Sequence, residues 1–392
     1  MGIQNKDCHI GVKFRTRVQN KIVVYEPSDL SGCLSISRVE TVLMTTDFVY
    51  HDIFVKHEMS MGHPESPDRL RSAMSYAERA SLLNSTKINL LSPKAASLDV
   101  ILPIHDSHYL EGVKTKSESG GGFYTLDTSV NQYTYEAALV AAGGGIEAVD
   151  RIMTGVTDNA FVLCRPPGHH AEFARAFGFC FINNIAVAAN YLLQKHGLHR
   201  IMIIDYDAHH GNGTQNTFYS SNQVLYVGLH QDGRTLFPGS GFPDETGIDD
   251  GKGYTLNLAM YPGAGDKSYQ MGFEEVIEPL AESYKPEFIL ASTGFDGHYR
   301  DPLTQLGLTT SGFAMMNSKL NQMASKLTSG KLACFLEGGY DLDVMGMCSQ
   351  ILLEELTELE ITDFNEEHSE SETCIQYTKD LIDLVRDDSP LL

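Results

Sequence analysis

The chain has 392 residues, 42 % of them apolar, with 35 glycines, no tryptophan and a formal net charge of −22 from 29 basic and 51 acidic side chains. That length suits one large domain or two ordinary ones and needs no covalent staple to hold a core. The charge balance excludes a non-specific nucleic-acid binder, which needs a basic surface for the phosphates, but an acidic rim would still attract a cationic substrate. No apolar run approaches the roughly 18 residues of a membrane span, and the N-terminus lacks the apolar stretch of a signal peptide. Cys8, Cys33, Cys164, Cys180, Cys334, Cys348 and Cys374 are scattered, without a CxxC pair. They read as buried or idle thiols of a reducing compartment, so the expected location is cytoplasmic, or nuclear in a eukaryote. Composition leaves the oligomeric state open.

Residues 1–43 carry six basic and four acidic side chains with no clear period, and read as an extension before the patterned region that begins near Met44. Between 44 and 353, short apolar runs bounded by Gly, Pro or Asp predict buried parallel strands at 160–164, 201–204, 224–229, 288–291 and 333–336. Stretches with 3.6-residue spacing predict helices at 135–153, 184–195, 268–284 and 311–327. Strand and helix alternating in this way indicate a single α/β domain around a mostly parallel sheet, with right-handed crossovers. Residues 354–392 hold thirteen acidic residues against Lys379 and Arg386, an acidic tail of net charge −11. Within it, 366–372 reads as a solvated linker and 373–385 as a short terminal helix.

Ligands of open α/β sheets bind beyond the carboxyl ends of the strands. The residues just past each apolar run are therefore informative. After 160–164 comes Arg165-Pro166-Pro167-Gly168-His169-His170, and after 201–204 comes Asp205-Tyr206-Asp207-Ala208-His209-His210-Gly211-Asn212. Gly294-Phe295-Asp296 lies beyond 288–291, and Glu337-Gly338-Gly339-Tyr340 beyond 333–336. Asp205, Asp207 and His209 would share one face if the strand persisted, so two or three of them can meet one ion, with Asp296 as a ligand from another strand. Three protein ligands and an open position is the pattern of a catalytic zinc site, and an O/O/N set also accepts Fe(II), Co(II) or Mn(II). Read alone, the DxDxH spacing is more often a solvated turn; the separate Asp296 and His pair reverse that weighting. Gly211 offers no ligand for a second metal. His169 and His170 can face one cleft only from an irregular loop, where a general base with an electrostatic partner is the better reading. Tyr340, otherwise a core tyrosine, can donate to a developing oxyanion. Phe177, Phe179, Phe181 and Leu236-Phe237-Pro238 either wall a narrow channel or belong to the core.

The blocks RPPGHHA, GFCFINN, DYDAHHGNGTQ, LFPGSG, GFDGHYRDPL and LEGGY, with GHPESPDRL at 62–70 ahead of them, resemble the successive motifs of the zinc-dependent histone deacetylase family. That arginase/deacetylase superfamily also holds acetylpolyamine amidohydrolases and acetoin-utilisation proteins. The resemblance runs from about Met44 to about Leu353 and is closest to the class II branch, because Asn212 stands where class I carries Asp. It implies an eight-stranded, mostly parallel sheet with helices on both faces. It further implies zinc on Asp207, His209 and Asp296, and His170 as general base and then acid toward the leaving amine. His169, oriented by Asp205, would be the electrostatic partner and Tyr340 the oxyanion donor. Phe179, Phe237 and Gly178 would line an acyl-lysine channel. Asn212 would hold His170 by an amide instead of a carboxylate. The family's inner potassium site uses main-chain oxygens around Asp205, Asp207, His209 and Leu229 together with a hydroxyl at the position of Gly228, which has none; an outer one uses carbonyls near Phe218, Ser221, Val224 and Tyr254. Polyamine-specialised members carry Glu where this chain has Leu303. The implied substrate is therefore acetyl-lysine in a protein or peptide, with an acetylated polyamine as the alternative. A catalytically dead binding module would be expected to lose a ligand or Tyr340, and a ureohydrolase would need a ligand at Gly211.

Overall fold

The computed structural model describes residues 14–18, 21–27, 34–41, 44–389 and 391–392. The chain divides into two compact units, Met1–Met44 and Thr45–Leu392. In the first, Phe14–Val18, Lys21–Pro27 and Leu34–Thr41 pair antiparallel as a three-stranded sheet with an irregularity at Val24/Tyr25. The segment expected to be without pattern thus contains strands. Its signal is the β-branched run Ile22-Val23-Val24, which favours a pleated backbone without making a long apolar stretch.

The second unit is built on eight strands: β1 (Thr46–Val49), β2 (Ile88–Leu91), β3 (Asn159–Val162), β4 (Ile201–Asp205), β5 (Val224–Gln231), β6 (Thr255–Met260), β7 (Phe288–Thr293) and β8 (Leu332–Leu336). They form one sheet in the order β6-β5-β4-β7-β8-β3-β1-β2, and every pairing is parallel. Strands β3 to β8 are buried along their whole length, which is why most read as continuous apolar runs. The apolar-run criterion passes over β1, β2 and β6 because Thr46, Asp47, Asn89, Thr255 and Asn257 interrupt them.

The α-helices of seven residues or more among the described residues are α1 (Asp68–Arg79), α2 (Ser107–Glu118), α3 (Thr134–Met153), α4 (Asn184–Lys195), α5 (Asn212–Phe218), α6 (Asp266–Gly272), α7 (Glu278–Tyr284), α8 (Thr310–Leu327), α9 (Leu342–Leu356) and α10 (Glu372–Asp388). They pack on both faces of the sheet. A single π turn, Phe273–Ile277, joins α6 to α7, so the expected helix at 268–284 is one rod with a bulge. Helix starts carry their caps: Asn183 on α4, Thr309 on α8, Asp341 on α9 and Ser371 on α10.

The acidic tail is part of this unit. Helix α10 buries Cys374, Ile375, Leu381, Ile382 and Val385, and the 366–372 stretch differs from the solvated linker expected. Glu366 Oε2 accepts from the Thr310 N–H at 2.8 Å and lies 2.9 Å from His298 Nε2; Glu370 Oε2 accepts from the Ser268 N–H at 3.1 Å. Thr310 and Ser268 sit in the first turns of α8 and α6, where backbone N–H groups lack intrahelical acceptors and favour an anion. Charge that looked solvated is therefore used to close helix ends.

Candidate active site

Strands β4, β7, β8 and β3 are consecutive in the sheet. The four segments singled out after their carboxyl ends therefore meet at one rim. Strand β4 ends at Asp205, so Asp207 and His209 are not placed by strand alternation as the i, i+2, i+4 reading supposed; an irregular turn carries them. In this turn the His209 N–H donates to Asp207 Oδ1 at 2.9 Å and the Asp207 N–H to Asp205 Oδ1 at 3.2 Å. Side chains two apart thus face inward because each carboxylate caps the next turn of backbone.

Asp207, His209 and Asp296 bring one ligand atom each to within 4.8 Å of one another, all buried. His209 Nδ1 lies 2.9 Å from Asp296 Oδ2 and 3.2 Å from Asp207 Oδ1. The other oxygens are fixed by backbone: Asp207 Oδ2 accepts from the Gly338 N–H at 2.7 Å and Asp296 Oδ1 from the Ala208 N–H at 2.9 Å. Among the described residues no Lys or Arg pairs with either carboxylate, only His169 and His209. Two buried carboxylates without a fixed cation suit a divalent metal. Burial alone would depress His209, but its hydrogen bonds to Asp207 and Asp296 push it up to about 10. Burial likewise raises Asp296, with the Asp207 charge adding to it, whereas His169 and His209 outweigh burial at Asp207 and hold it below the usual carboxylate range. The donor set fits the metal, whose binding would displace the proton that the two carboxylates otherwise hold on His209. A side chain at position 211 does not fit: a Cβ on Gly211 would sit 2.1 Å from Asp205 Oδ2, so a second ligand there would displace Asp205.

His169 and His170 lie with ring centroids 4.0 Å apart. His169 Nδ1 is 3.1 Å from Asp205 Oδ2; burial disfavours its proton, yet the charges of Asp205, Asp207 and Glu337 raise it to about 10. His170 Nδ1 is 2.8 Å from Asn212 Oδ1, and burial together with the charges on His169 and His209 holds His170 well below its usual value. The surroundings thus favour the charged form of one imidazole and the neutral form of its neighbour. This split between adjacent groups is the arrangement that acid–base chemistry needs.

These groups open on a cavity of about 220 Å³ lined by Asp127, Pro167, His169, His170, Gly178, Phe179, His209, Leu236, Phe237, Leu303, Gly338 and Tyr340. Phe237 packs edge-on to His170 at 5.2 Å, and Phe179 edge-on to Tyr340 at 6.0 Å. Gly178, at φ +52°, leaves room for His170: a Cβ there would lie 2.3 Å from its ring. Leu303 stands at the mouth, 37 % exposed. Phe177 lies tilted against Phe237 at 4.7 Å outside the lining, and Phe181 is fully buried in the core. Gly228 faces the Tyr226 hydroxyl and Asn257 Oδ1.

Four residues that hold the site were missed by sequence reasoning. Buried Arg69 of α1 donates to the carbonyls of Glu337 (2.5 Å) and Gly339 (2.7 Å) and lies over the Tyr340 ring at 5.0 Å. Buried Glu65 pairs with Arg69 and Arg165. Glu337 accepts from the N–H groups of Gly168 (2.7 Å) and His169 (3.1 Å), with its carboxyl pushed up to about 7 by burial. Asp301, also raised to about 7 by burial and then by Asp296, accepts from the N–H groups of Tyr340 (2.8 Å) and Leu303 (2.9 Å). Glu65 and Arg69 lie inside the GHPESPDRL block, and Glu337 and Asp301 stand beside Gly338 and Leu303; charged residues flanking site motifs were the available signal.

Residues 63–356 match the model of the histone deacetylase domain. A probable deacetylase of Archaeoglobus fulgidus is 42 % identical over 300 residues, 76 % of this chain and 82 % of that protein. A histone deacetylase-like amidohydrolase of Pseudomonas aeruginosa is 36 % identical over 304 residues, 78 % of this chain and 79 % of that one. The crystal structure titled HDA15 HD domain superposes with a TM-score of 0.80 at 32 % identity, covering 88 % of this chain and 96 % of that chain. The motif order, the all-parallel eight-stranded sheet and these matches agree: the chain belongs to the histone deacetylase family, and its activity is that of a deacetylase.

Proposed function

We propose that the protein is a zinc-dependent amidohydrolase that removes acetyl, or another short acyl group, from lysine side chains of proteins or peptides. The observation that carries this reading is that His170, Tyr340 and His209 line one cavity walled by Phe179 and Phe237, with Asp207 and Asp296 gathered on His209. A walled apolar slot suits the four-carbon stem of lysine. Zinc, or Fe(II) or Co(II), held by the three ligands would polarise the acyl carbonyl and acidify a water. His170 takes the proton of the attacking water at Nε2 and returns it to the leaving amine, so that lysine departs neutral. Cationic His169 stabilises the negative charge developing nearby, and Tyr340 donates its hydroxyl hydrogen to the oxyanion. Burial raises the Tyr340 phenol well above its usual value, against the opposing charge of Arg69, which keeps it protonated as a donor. Potassium at the positions around Asp205 and Leu229 that the family resemblance implies is proposed as a structural ion only. A reducing, cytoplasmic or nuclear setting is proposed from the five described cysteines, all buried and free.

A second reading rests on one observation. Asp127 lines the cavity, so an acidic residue stands at its wall even though Leu303 supplies none. Asp127 Oδ1 is engaged by the hydroxyls of Thr125 and Thr128; its other oxygen would meet the second amine of a polyamine. Competition between an acetyl-lysine peptide and N8-acetylspermidine tests the assignment. The protein substrate predicts a higher kcat/KM for the peptide and a move toward the polyamine in Leu303→Glu. A preference for acetylspermidine of about tenfold, or roughly 1.4 kcal/mol in transition-state binding, replaces it with the polyamine reading.

A further inference from the structure

The Asn212 amide lies between two partners that fix which way round it must sit. Asn212 Nδ2 is 2.9 Å from Glu172 Oε1, and Asn212 Oδ1 is 2.8 Å from His170 Nδ1. An ionised carboxylate only accepts hydrogen bonds, so the amide must turn its N–H toward Glu172 and its oxygen toward His170. That oxygen in turn only accepts, so His170 Nδ1 must carry a proton, and in the neutral ring the lone pair then falls on Nε2.

We propose that Glu172 is a positioning residue: it holds Asn212 in the one orientation that leaves His170 protonated at Nδ1 and basic at Nε2. The proposal rests on the reading of His170 as general base. An Asp at position 212 would need no such help, because either of its oxygens accepts. An amide does need it, since its two ends are nearly the same size. Burial does not make the choice here either. Glu172 and Asn212 line a polar cavity of about 240 Å³ with His210, Gln215, Asn216 and Glu245, where water can pair with either end of an unguided amide.

Glu172 is itself fixed. Its N–H donates to the Arg175 carbonyl at 3.0 Å, and its carbonyl accepts from His105 Nδ1 at 3.0 Å. Its carboxylate also accepts from Asn216 Nδ2 at 3.4 Å and lies 3.8 Å from the Arg175 guanidinium. His105 Nε2 accepts the Asn183 N–H at 2.9 Å, so this second imidazole is set in its tautomer by the same logic.

The test is Glu172→Gln, which keeps the size but can donate or accept, so Asn212 is free to turn over. The expected result is a kcat lowered about tenfold or more, with KM within about twofold, and bound metal and Tm unchanged. ¹⁵N resonances of His170 should show loss of the form protonated at Nδ1. Adding Asn212→Asp to Glu172→Gln should restore kcat to within about threefold, because a carboxylate presents an acceptor either way round and the substituted amide can donate to it. Near-normal turnover in Glu172→Gln, or a loss that Asn212→Asp does not rescue, would overturn the proposal. His170→Ala separates the two claims. If that variant keeps its kcat, the general-base reading fails, and the His170 tautomer measured in Glu172→Gln still decides what Glu172 does.

Discussion

At Tyr340 the geometry makes a demand that a core tyrosine would not. Its ring is clamped between Arg69 and Phe179 while it lines the cavity that His170 and His209 also line. As the proposed oxyanion donor, the hydroxyl would act mainly in the transition state, and Tyr340→Phe keeps the ring and its packing. Steady-state kinetics should show kcat reduced by about 10²–10³ with KM little changed, and calorimetry should show an unchanged Tm. A variant with near-normal kcat, or one that unfolds early, returns Tyr340 to the core. Among single residues, those that converge on the cavity were legible because His, Asp and Tyr at strand ends are unusual in an apolar pattern. Glu65, Arg69, Glu172, Asp301 and the part played by Glu337 were not, because each acts on a partner distant in sequence, and one chain without its contacts does not reveal such pairs.

Among elements, the turn after β8 shows how local sequence and remote support combine. Glu337-Gly338-Gly339-Tyr340 places one N–H on Asp207 and the phenol over the cavity, but its carbonyls are satisfied by Arg69 from α1, far away in the chain. Arg69 and Arg165 together balance the buried Glu65. Arg69→Met removes half of that balance and both carbonyl contacts, and breaking a buried ion pair on one side typically costs about 3–5 kcal/mol. Denaturant unfolding should report a loss of that order, with kcat falling as Tyr340 loses its support. Wild-type stability in this variant would contradict the role assigned to the cluster. Strands β3, β4, β5, β7 and β8 and helices α3, α4, α8 and the α6–α7 rod were readable from period to within two residues at their ends, whereas α1, α2 and α9 were not predicted. Strands β1, β2 and β6 were hidden because their polar residues are satisfied inside the sheet, as Asp47 is by Arg151, so burial there does not follow hydropathy.

For the whole molecule, buried neutral imidazoles should set the acid limit of stability. His57 Nδ1 bonds the Thr134 hydroxyl at 2.9 Å, while its Nε2 lies 3.7 Å from Glu65, too far for a hydrogen bond, so His57 sits uncharged. Burial, aided by the Arg165 charge, lowers it to about 3, and burial lowers His105 to about 4. A folded pKa below the unfolded one contributes stability that is present above about pH 6.5 and lost as pH falls from there toward 3. From pH 7.5 to 5 the His57 share is about 2 kcal/mol. His57→Asn should therefore flatten the fall in unfolding free energy between pH 7.5 and 5 relative to wild type; parallel curves would mean that His57 is charged in the fold. The acidic tail belongs to the same scale: its composition read as solvated, but Glu366 and Glu370 close the N-terminal turns of α8 and α6, a use of charge that only the packed arrangement reveals.

Deacetylation by this chain depends, on the reading above, on one divalent metal held by Asp207, His209 and Asp296. Purified wild type, Asp207→Ala and Asp296→Ala can be compared by elemental analysis and, on the same samples, by turnover of an acetyl-lysine peptide after zinc addition. One of only three protein ligands is missing in each variant, so about one zinc per chain is expected in wild type, with bound zinc and kcat falling together in both variants. Near-stoichiometric zinc with undiminished affinity in both variants, or wild-type turnover that survives complete removal of the metal, would refute the metal assignment.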